Sequence, residues 1–140
     1  NAFGHGTMVA SVIRLVAPQA RIMPLKAFLA DGSSNTFDLV RAIYFAADHG
    51  AKVINMSFHL PVPSAEMDRA VAYAAARGLV LVSSTGNGGN DVVVYPAAHP
   101  QVMGIASTDA WDQRSGFSNY GTSIVTLAAP GEGVIVAYPG

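Results

Sequence analysis

A histidine between two glycines is the first residue of the sequence that could take part in catalysis. It stands in the segment Gly-His-Gly-Thr at residues 4–7, as His5. Histidine often transfers protons in enzymes, and flanking glycines let other backbone groups come close. A solvated histidine in a turn would have the same sequence, so this segment alone leaves both interpretations open.

A second residue with catalytic potential is Asn87, which follows an apolar run and a short polar stretch. The run Leu-Val-Leu-Val at residues 79–82 is typical of a strand covered on both faces of a parallel sheet. Functional groups gather at the carboxyl ends of such strands, where a side-chain amide can donate a hydrogen bond. The pair Asn87-Gly88 is equally typical of a tight turn, and that alternative also stays open here.

Hydrophobic spacing predicts the helices that position these residues. The first helix is predicted over residues 7–16. The second is predicted over residues 36–49 with Thr36 as its N-cap, and the third over residues 64–77 with Ser64 as its N-cap. Both cap residues are of the types that accept a hydrogen bond from the first turn of a helix.

Strands are predicted between and after these helices, with a loop at residues 86–100. Helices and strands alternate, which favours an α/β fold with a parallel sheet and right-handed crossovers. We expect three layers, with a mostly parallel sheet flanked by helices. The predicted strands lie at residues 21–28, 53–57, 79–82, 103–107, 124–128 and 134–137.

Composition excludes several classes of function. The net charge is −1, from eight basic and nine acidic residues that form no basic run, so we expect no nucleic-acid partner. The sequence has no cysteine, which excludes disulfides and thiolate chemistry. No apolar run approaches the roughly 20 residues that span a bilayer, so we expect no membrane partner. No carboxylate cluster has metal-ligand spacing, and we predict no metal site.

Six segments occur in the same order as landmarks of the subtilisin-like serine protease family, the subtilases, and they cover nearly the whole chain. The ordered set is specific, whereas each segment alone is not. The resemblance implies that residues 1–140 are the central part of a peptidase S8 catalytic domain. The segments lie at residues 4–10, 53–57, 79–87, 95–97, 117–121 and 127–131.

The resemblance implies a serine-type endopeptidase that works by an Asp-His-Ser triad. His5 would be the general base, and Asn87 would donate its side-chain amide to the oxyanion of the tetrahedral intermediate. Two segments would flank the substrate peptide and bind its backbone by strand addition. Their substrate-binding residues would be Ser57, Phe58 and His59 on one side and Ser84, Thr85 and Gly86 on the other.

Two departures from the family pattern affect the primary specificity pocket. His59 and Leu60 stand where relatives usually have glycines, and Val94 stands where relatives often have one. These residues add bulk, so we expect a shallow apolar pocket rather than a deep one. Ordinary packing is the alternative for Phe58 and Val94.

The nucleophile and the aspartate of the triad are not recognisable in the chain. The family order is Asp, His and Ser, and no acidic residue precedes His5. Ser123 stands in a Gly-Thr-Ser segment, but a β-branched run follows where the nucleophile should open a helix. We therefore expect the chain to lack both the Asp region and the Ser region of the domain.

Parts of the sequence are also compatible with two rival functions. A dinucleotide-binding loop is suggested by the glycines of residues 86–89, but Asp91 replaces the third glycine and no helix follows. The other rival is an inactive pseudoprotease or peptide-binding domain on the same fold. The family resemblance also implies a polypeptide substrate, a pro-region as a partner, and a secreted or extracytoplasmic location. No cofactor is needed; relatives often bind calcium, but no ligand loop for it is recognisable.

Overall fold

The computed structural model describes residues 4–138, in which a parallel sheet of four strands is accompanied by three helices. The strands follow one another in space in the order of the chain. The predicted parallel sheet flanked by helices is confirmed. The elements are α1 (His5–Val16), α2 (Thr36–Asp48), β1 (Val53–Met56), α3 (Ala65–Ala76), β2 (Val80–Ser84), β3 (Val102–Thr108) and β4 (Leu127–Pro130).

The strand register brings all the carboxyl ends of the strands to one edge of the sheet. Val53 of β1 pairs with Val80 of β2, and Leu81 of β2 pairs with Val102 of β3. β3 pairs with β4 in the same direction. The polar residues that follow each strand are therefore neighbours, as expected for a parallel sheet.

The main core lies between the sheet and the helices α2 and α3. Ile43 of α2 and Met67 and Val71 of α3 are buried on the helix faces turned towards each other and the sheet. They pack against Met56 and Leu81, which are buried sheet residues. The spacing of four residues between Met67 and Val71 is that of one helix face, so the pattern in the sequence matches the packing.

The N-caps of α2 and α3 differ in how well they were predicted. Ser64 caps α3 as expected, because its hydroxyl accepts a hydrogen bond from the backbone of Met67. Thr36 was the wrong cap for α2. Asn35 has the extended backbone of a cap, and its side chain accepts from the N–H of Asp38 at 2.9 Å.

Helix α1 begins two residues earlier than predicted and therefore includes His5. The backbone N–H of Met8 donates to the carbonyl of Gly4 at 2.9 Å and closes the first turn. Gly4 precedes the helix with φ of 76°, a left-handed conformation that favours glycine. No residue of α1 is buried, in contrast to α2 and α3.

Two of the predicted strands are absent from the described structure. Residues 21–28 alternate between apolar and polar side chains, but they form no strand and most of them are exposed. Residues 134–137 also form no strand, and there the N–H of Ala137 donates to the hydroxyl of Ser11 at 3.0 Å. Alternation favours an extended backbone, but a strand also needs a hydrogen-bonding neighbour, and neither segment has one among residues 4–138.

The last strand begins three residues later than predicted. Ile124 and Val125 lie in a turn, where both of their N–H groups donate to the carbonyl of Gly121. Ile124 is buried in a small second core with Val94. Its hydrophobicity therefore serves loop packing, and β4 starts only at Leu127. No helix among residues 4–138 is long and apolar enough to cross a membrane.

Candidate active site

A cavity of about 280 Å³ opens at the edge of the sheet where the strands end. All four strands or the residues directly after them contribute to its wall, because the parallel register aligns their carboxyl ends. The wall contains Asn55, Ser57, Val82, Ser83, Ser84, Thr85, Gly86, Asn87, Ile105, Ala106, Ser107, Ser118, Ala129, Pro130 and Gly131.

Hydrogen bonds fix the end of β2, which supplies the centre of this wall. β2 extends to Ser84, two residues beyond the predicted apolar run. The buried hydroxyl of Ser83 donates to the carbonyl of Met56, which ties the end of β1 to β2. Thr85 is also buried, and its backbone N–H donates to the carbonyl of Ile105 in β3. The three strand ends are therefore held together.

Asn87 lies on the loop that follows β2 and is exposed at the cavity. Its side chain makes no hydrogen bond or ion pair within residues 4–138. Its two amide N–H groups are therefore available to a bound molecule. This is the property required of a donor that stabilises an oxyanion.

The loop around Asn87 rests on a second asparagine. The side-chain oxygen of Asn119 accepts from the backbone N–H of Gly88 at 2.8 Å. The backbone N–H of Asn119 donates to the carbonyl of Gly86 at 3.0 Å. Gly86 has φ of 97°, which favours glycine. Asn119 lies in the segment of residues 117–121 that resembles the family, where no role was predicted for it.

Five of the eight predicted site residues lie together at the cavity. They include both the proposed oxyanion donor and residues from both predicted substrate-flanking segments. Their assigned roles in catalysis and binding remain predictions. The five are Ser57, Ser84, Thr85, Gly86 and Asn87.

The other three predicted residues do not line the cavity. Phe58 is half-buried against the main core, and its ring lies 5.7 Å from that of Phe28. Packing, the alternative considered for Phe58, is what its side chain does. His59 is exposed outside the cavity wall, and His5 is exposed on the first turn of α1.

Val94 does not line the cavity; it is buried against Ile124 and Ala97. Its side chain still lies close behind the wall, since a Cβ atom at Gly86 would be 3.8 Å from it. The expected shallow pocket stays a prediction. Leu60 instead forms an antiparallel bridge with Tyr95, with N–H···O distances of 2.6 and 3.0 Å. Leu60 and Val94 therefore serve packing between loops, whereas His59 is exposed.

The cavity residues that sequence reasoning missed come mostly from β3 and β4. Ser107 ends the fourth predicted strand and lies in β3, Pro130 is the last residue of β4, and Gly131 follows it. Applying the strand-end rule to every strand would have found them. A side chain at Gly131 would overlap Ser107, so glycine lets these two strand ends approach. Ser123 lies exposed in a turn outside the wall.

The cavity wall has no ionisable side chain among the residues that line it. Its polar groups are hydroxyls, amides and backbone. Across residues 4–138, no group of three or more histidine or acidic side chains is placed to hold a metal ion. The residues that line the wall can donate and accept hydrogen bonds, and none of them is a histidine or a carboxylate.

Comparison with known proteins places this arrangement in a family. The model of the subtilase family of peptidases matches residues 1–138. The chain belongs to the subtilase family. Its relatives include thermitase from Thermoactinomyces vulgaris, at 38% identity over 99% of this chain and 53% of the relative. Subtilisin Savinase from Lederbergia lenta is 35% identical over 98% of this chain and 54% of its own length.

Solved structures agree with the sequence relatives. A cold-adapted subtilisin-like serine proteinase matches 99% of this subtilase chain with a TM-score of 0.89 and 32% identity. A lanthipeptide protease matches 91% of it with a TM-score of 0.85 and 28% identity. The chain covers 52% and 43% of these structures, so it spans about half the length of the proteins it resembles.

Proposed function

We propose that this chain is part of a serine endopeptidase that hydrolyses peptide bonds by an acyl-enzyme route. The observation that carries the proposal is Asn87, whose amide has no partner within residues 4–138 and faces an uncharged cavity at the strand ends. Membership of the subtilase family and the names of its relatives as proteases support the same chemistry. The aspartate and the serine of the triad are proposed to lie in the whole protein outside these 140 residues.

In the proposed mechanism, His5 takes the proton from the serine hydroxyl as the serine oxygen attacks the peptide carbonyl. The carbonyl oxygen becomes an oxyanion, which accepts a hydrogen bond from the side-chain amide of Asn87. When the C–N bond breaks, His5 gives its proton to the departing amine. Water then attacks the acyl-enzyme with the same base assistance and releases the acid.

The proposed substrate is an extended polypeptide bound through its backbone. Ser57 on one side and the segment 84–86 on the other line the same cavity, at the ends of adjacent parallel strands. An uncharged wall of hydroxyl and backbone groups suits the neutral peptide group. Phe58 packs on Phe28 and the main core, and His59 is exposed outside the cavity, so the proposed contacts of these two residues with the substrate lie beyond the cavity wall.

The exposed amide of Asn87 gives the direct test. In the full-length protein, Asn87→Ala should lower kcat by about 10²–10³ and change KM little, because the donor acts on the oxyanion. That magnitude is known for a subtilisin, a member of this family, and is carried over rather than derived from this structure. Val92→Ala is the control on the same loop, since Val92 is 56% exposed and is not part of the cavity wall. Steady-state kinetics on a peptide substrate measure both.

The alternative of an inactive peptide-binding domain gives a different result in a labelling experiment. A fluorophosphonate probe should label one serine of the full-length protein, and it should not label Ser123 in the 140-residue chain. Labelling of Ser123 would overturn the assignment of the nucleophile outside this chain. A full-length protein that binds peptides without being labelled would favour the pseudoprotease.

The remaining expectations rest on family resemblance alone. The whole protein is proposed to be exported and to interact with a pro-region of its own. The acyl-transfer route needs no cofactor. A dependence on calcium would appear as a fall in thermal stability of the full-length protein on chelation, with recovery when calcium is restored.

A further inference from the structure

Asn119 is a buried asparagine whose side chain contacts the backbone of the residues that follow Asn87. Only 4% of Asn119 is exposed. Its side-chain oxygen accepts from the N–H of Gly88 at 2.8 Å and from the N–H of Asn90 at 3.4 Å. A single carbonyl oxygen has two lone pairs, so it can serve both donors at once.

The backbone of Asn119 also binds the residue that precedes Asn87. The N–H of Asn119 donates to the carbonyl of Gly86 at 3.0 Å. Gly86 and Gly88 are the direct chain neighbours of Asn87, so both of its flanks are bound to one residue. Two further backbone bonds join the loop to the same segment, from Gly89 to Phe117 and from Tyr120 to Asn90.

The loop sits on the Asn119 amide without spare room. A Cβ atom at Gly86 would come within 2.7 Å of the Asn119 side-chain nitrogen, and one at Gly88 within 3.2 Å of its oxygen. These distances are shorter than ordinary van der Waals contact. A chain with this many glycines is flexible in isolation, and the contacts with Asn119 limit that flexibility.

Asn119 is in turn fixed to the sheet. Its carbonyl accepts from the hydroxyl of Thr85 at 3.3 Å and from that of Ser118 at 3.1 Å. The hydroxyl of Ser118 also accepts from the N–H of Ser107 in β3 at 2.9 Å. Asn119 therefore links the Asn87 loop to the ends of β2 and β3 through hydrogen bonds.

We infer that Asn119 is a positioning residue for the oxyanion donor, which rests on the function proposed for Asn87. An oxyanion donor has to be in place before the charge develops, because reorganisation during the reaction would raise the barrier. The side chain of Asn87 has no partner of its own within residues 4–138, so its direction depends on the peptide units that flank it. Asn119 holds those units.

The test is a double-mutant cycle in the full-length protein. Asn119→Ala should lower kcat about 10- to 100-fold and change KM less than about 3-fold, because an ångström-scale misplacement of a catalytic group has an effect of this order. In the Asn87→Ala background, the same substitution should lower kcat less than about 3-fold. An equal loss in both backgrounds would show that Asn119 does not act through Asn87.

Ser115→Ala is the matched structural control. Ser115 is buried in the same segment, and its hydroxyl bonds to that of Ser107, but it does not contact the Asn87 loop. We expect this variant to lose stability with kcat unchanged. If Asn119→Ala and Ser115→Ala give the same kcat at matched folded fractions, the positioning role is wrong.

Gly88→Ala keeps the proposal testable if Asn119→Ala does not fold. Gly88 is exposed, and its added Cβ would press on the side-chain oxygen of Asn119 and on the side chain of Asn90. It should lower kcat in the parent background and not in the Asn87→Ala background. Should Asn87→Ala itself leave kcat unchanged, the proposed function fails. A large loss at Asn87 together with an additive loss at Asn119 or Gly88 overturns only the positioning role.

Discussion

The strands β1–β3 and the helices α2 and α3 contribute buried side chains to the main core, whereas α1 has no buried residue and most of residues 21–28 are exposed. Leu81 in β2 is only 1% exposed, whereas Leu15 near the end of α1 is 71% exposed. Leu81 belongs to an unbroken apolar run, and the apolar face that helical spacing predicts for α1 includes Val16, which is 80% exposed. The difference teaches that period alone does not stabilise an element, because the apolar face also needs a surface to pack against.

One of the two proposed catalytic residues lies on the well-packed part of the molecule, and the other lies on the exposed helix α1. Asn87 is carried by the packed part, on a loop held by backbone and side-chain hydrogen bonds. His5 is carried by α1, which has no buried residue and which is tied to residue 137 through the hydroxyl of Ser11. This chain therefore pre-positions the oxyanion donor more completely than the general base.

The largest effect expected from this comparison comes from a pair of identical substitutions. In the 140-residue chain, Leu81→Ala should lower the free energy of unfolding by about 2–5 kcal/mol, because it removes buried methylene groups and leaves a cavity. Leu15→Ala should change it by less than about 0.5 kcal/mol, because Leu15 is already in water. Urea denaturation measures both.

The same pair sharpens the comparison when it is repeated in the full-length protein. If parts of the protein outside this chain cover α1, Leu15→Ala should lower the free energy of unfolding of the full-length protein. Leu81→Ala should lower it both in the full-length protein and in the 140-residue chain. An equal loss for the two substitutions in the 140-residue chain would mean that α1 is covered in solution, and the contrast drawn here would be wrong.

A smaller effect is expected at the helix caps. Ser64→Ala should lower the free energy of unfolding by about 1 kcal/mol, because its hydroxyl accepts from the N–H of Met67 at the start of α3. Ser64→Thr keeps the hydroxyl and is the matched control. Helix α1 has no side-chain cap at Gly4. A thermal or urea unfolding curve in which Ser64→Ala equals the parent would show that the Ser64 cap does not stabilise α3.

The smallest effect is a dependence on pH at the same end of α3. The pKa of Glu66 is lowered by a hydrogen bond from its own backbone N–H and then by the hydroxyl of Ser64. A lowered pKa means that the carboxylate stabilises the fold above the unfolded-state pKa near 4.5, and that this contribution is lost as the pH falls through the folded-state pKa.

Glu66→Gln should therefore lower the Tm slightly at pH 7 and match the parent in acid, below the folded-state pKa. The matched control is Asp31→Asn in the exposed turn. The pKa of Asp31 is also lowered, mainly by a hydrogen bond from the Ser33 hydroxyl and then by one from the Ser33 backbone N–H. Asp31 caps no helix. A difference between Glu66→Gln and the parent that persists in acid would assign the effect to packing rather than to charge.

The parts of the fold that the sequence predicted are those whose cause is local. The apolar run at residues 79–82 and the Ser64 cap depend on neighbours a few residues away, and both were correct within two residues. Residues 21–28 have the alternation of a strand but no strand beside them among residues 4–138. Whether an extended segment becomes a strand depends on distant chain, which periodicity does not contain.

The candidate site shows the same limit. The strand-end rule placed Asn87 and Ser57 at one cavity, because the rule needs only the strand assignment. Asn119 was missed because its contact with Gly88 joins residues that are 31 positions apart. Phe58 was expected beside the substrate from family resemblance; its side chain packs on the core, and a contact of this residue with substrate stays a prediction. A side chain's direction follows from tertiary packing, which motif order does not specify.

The absence of charge from the wall of the cavity has a consequence for how substrates reach it. Long-range electrostatic steering requires a cleft lined by charge of one sign, and salt weakens such steering by screening. The residues that line this cavity offer no such charge, so the wall neither attracts nor repels a peptide before contact. We therefore expect the part of the wall that this chain supplies to add no salt dependence to binding, so that any such dependence would come from charges outside the wall.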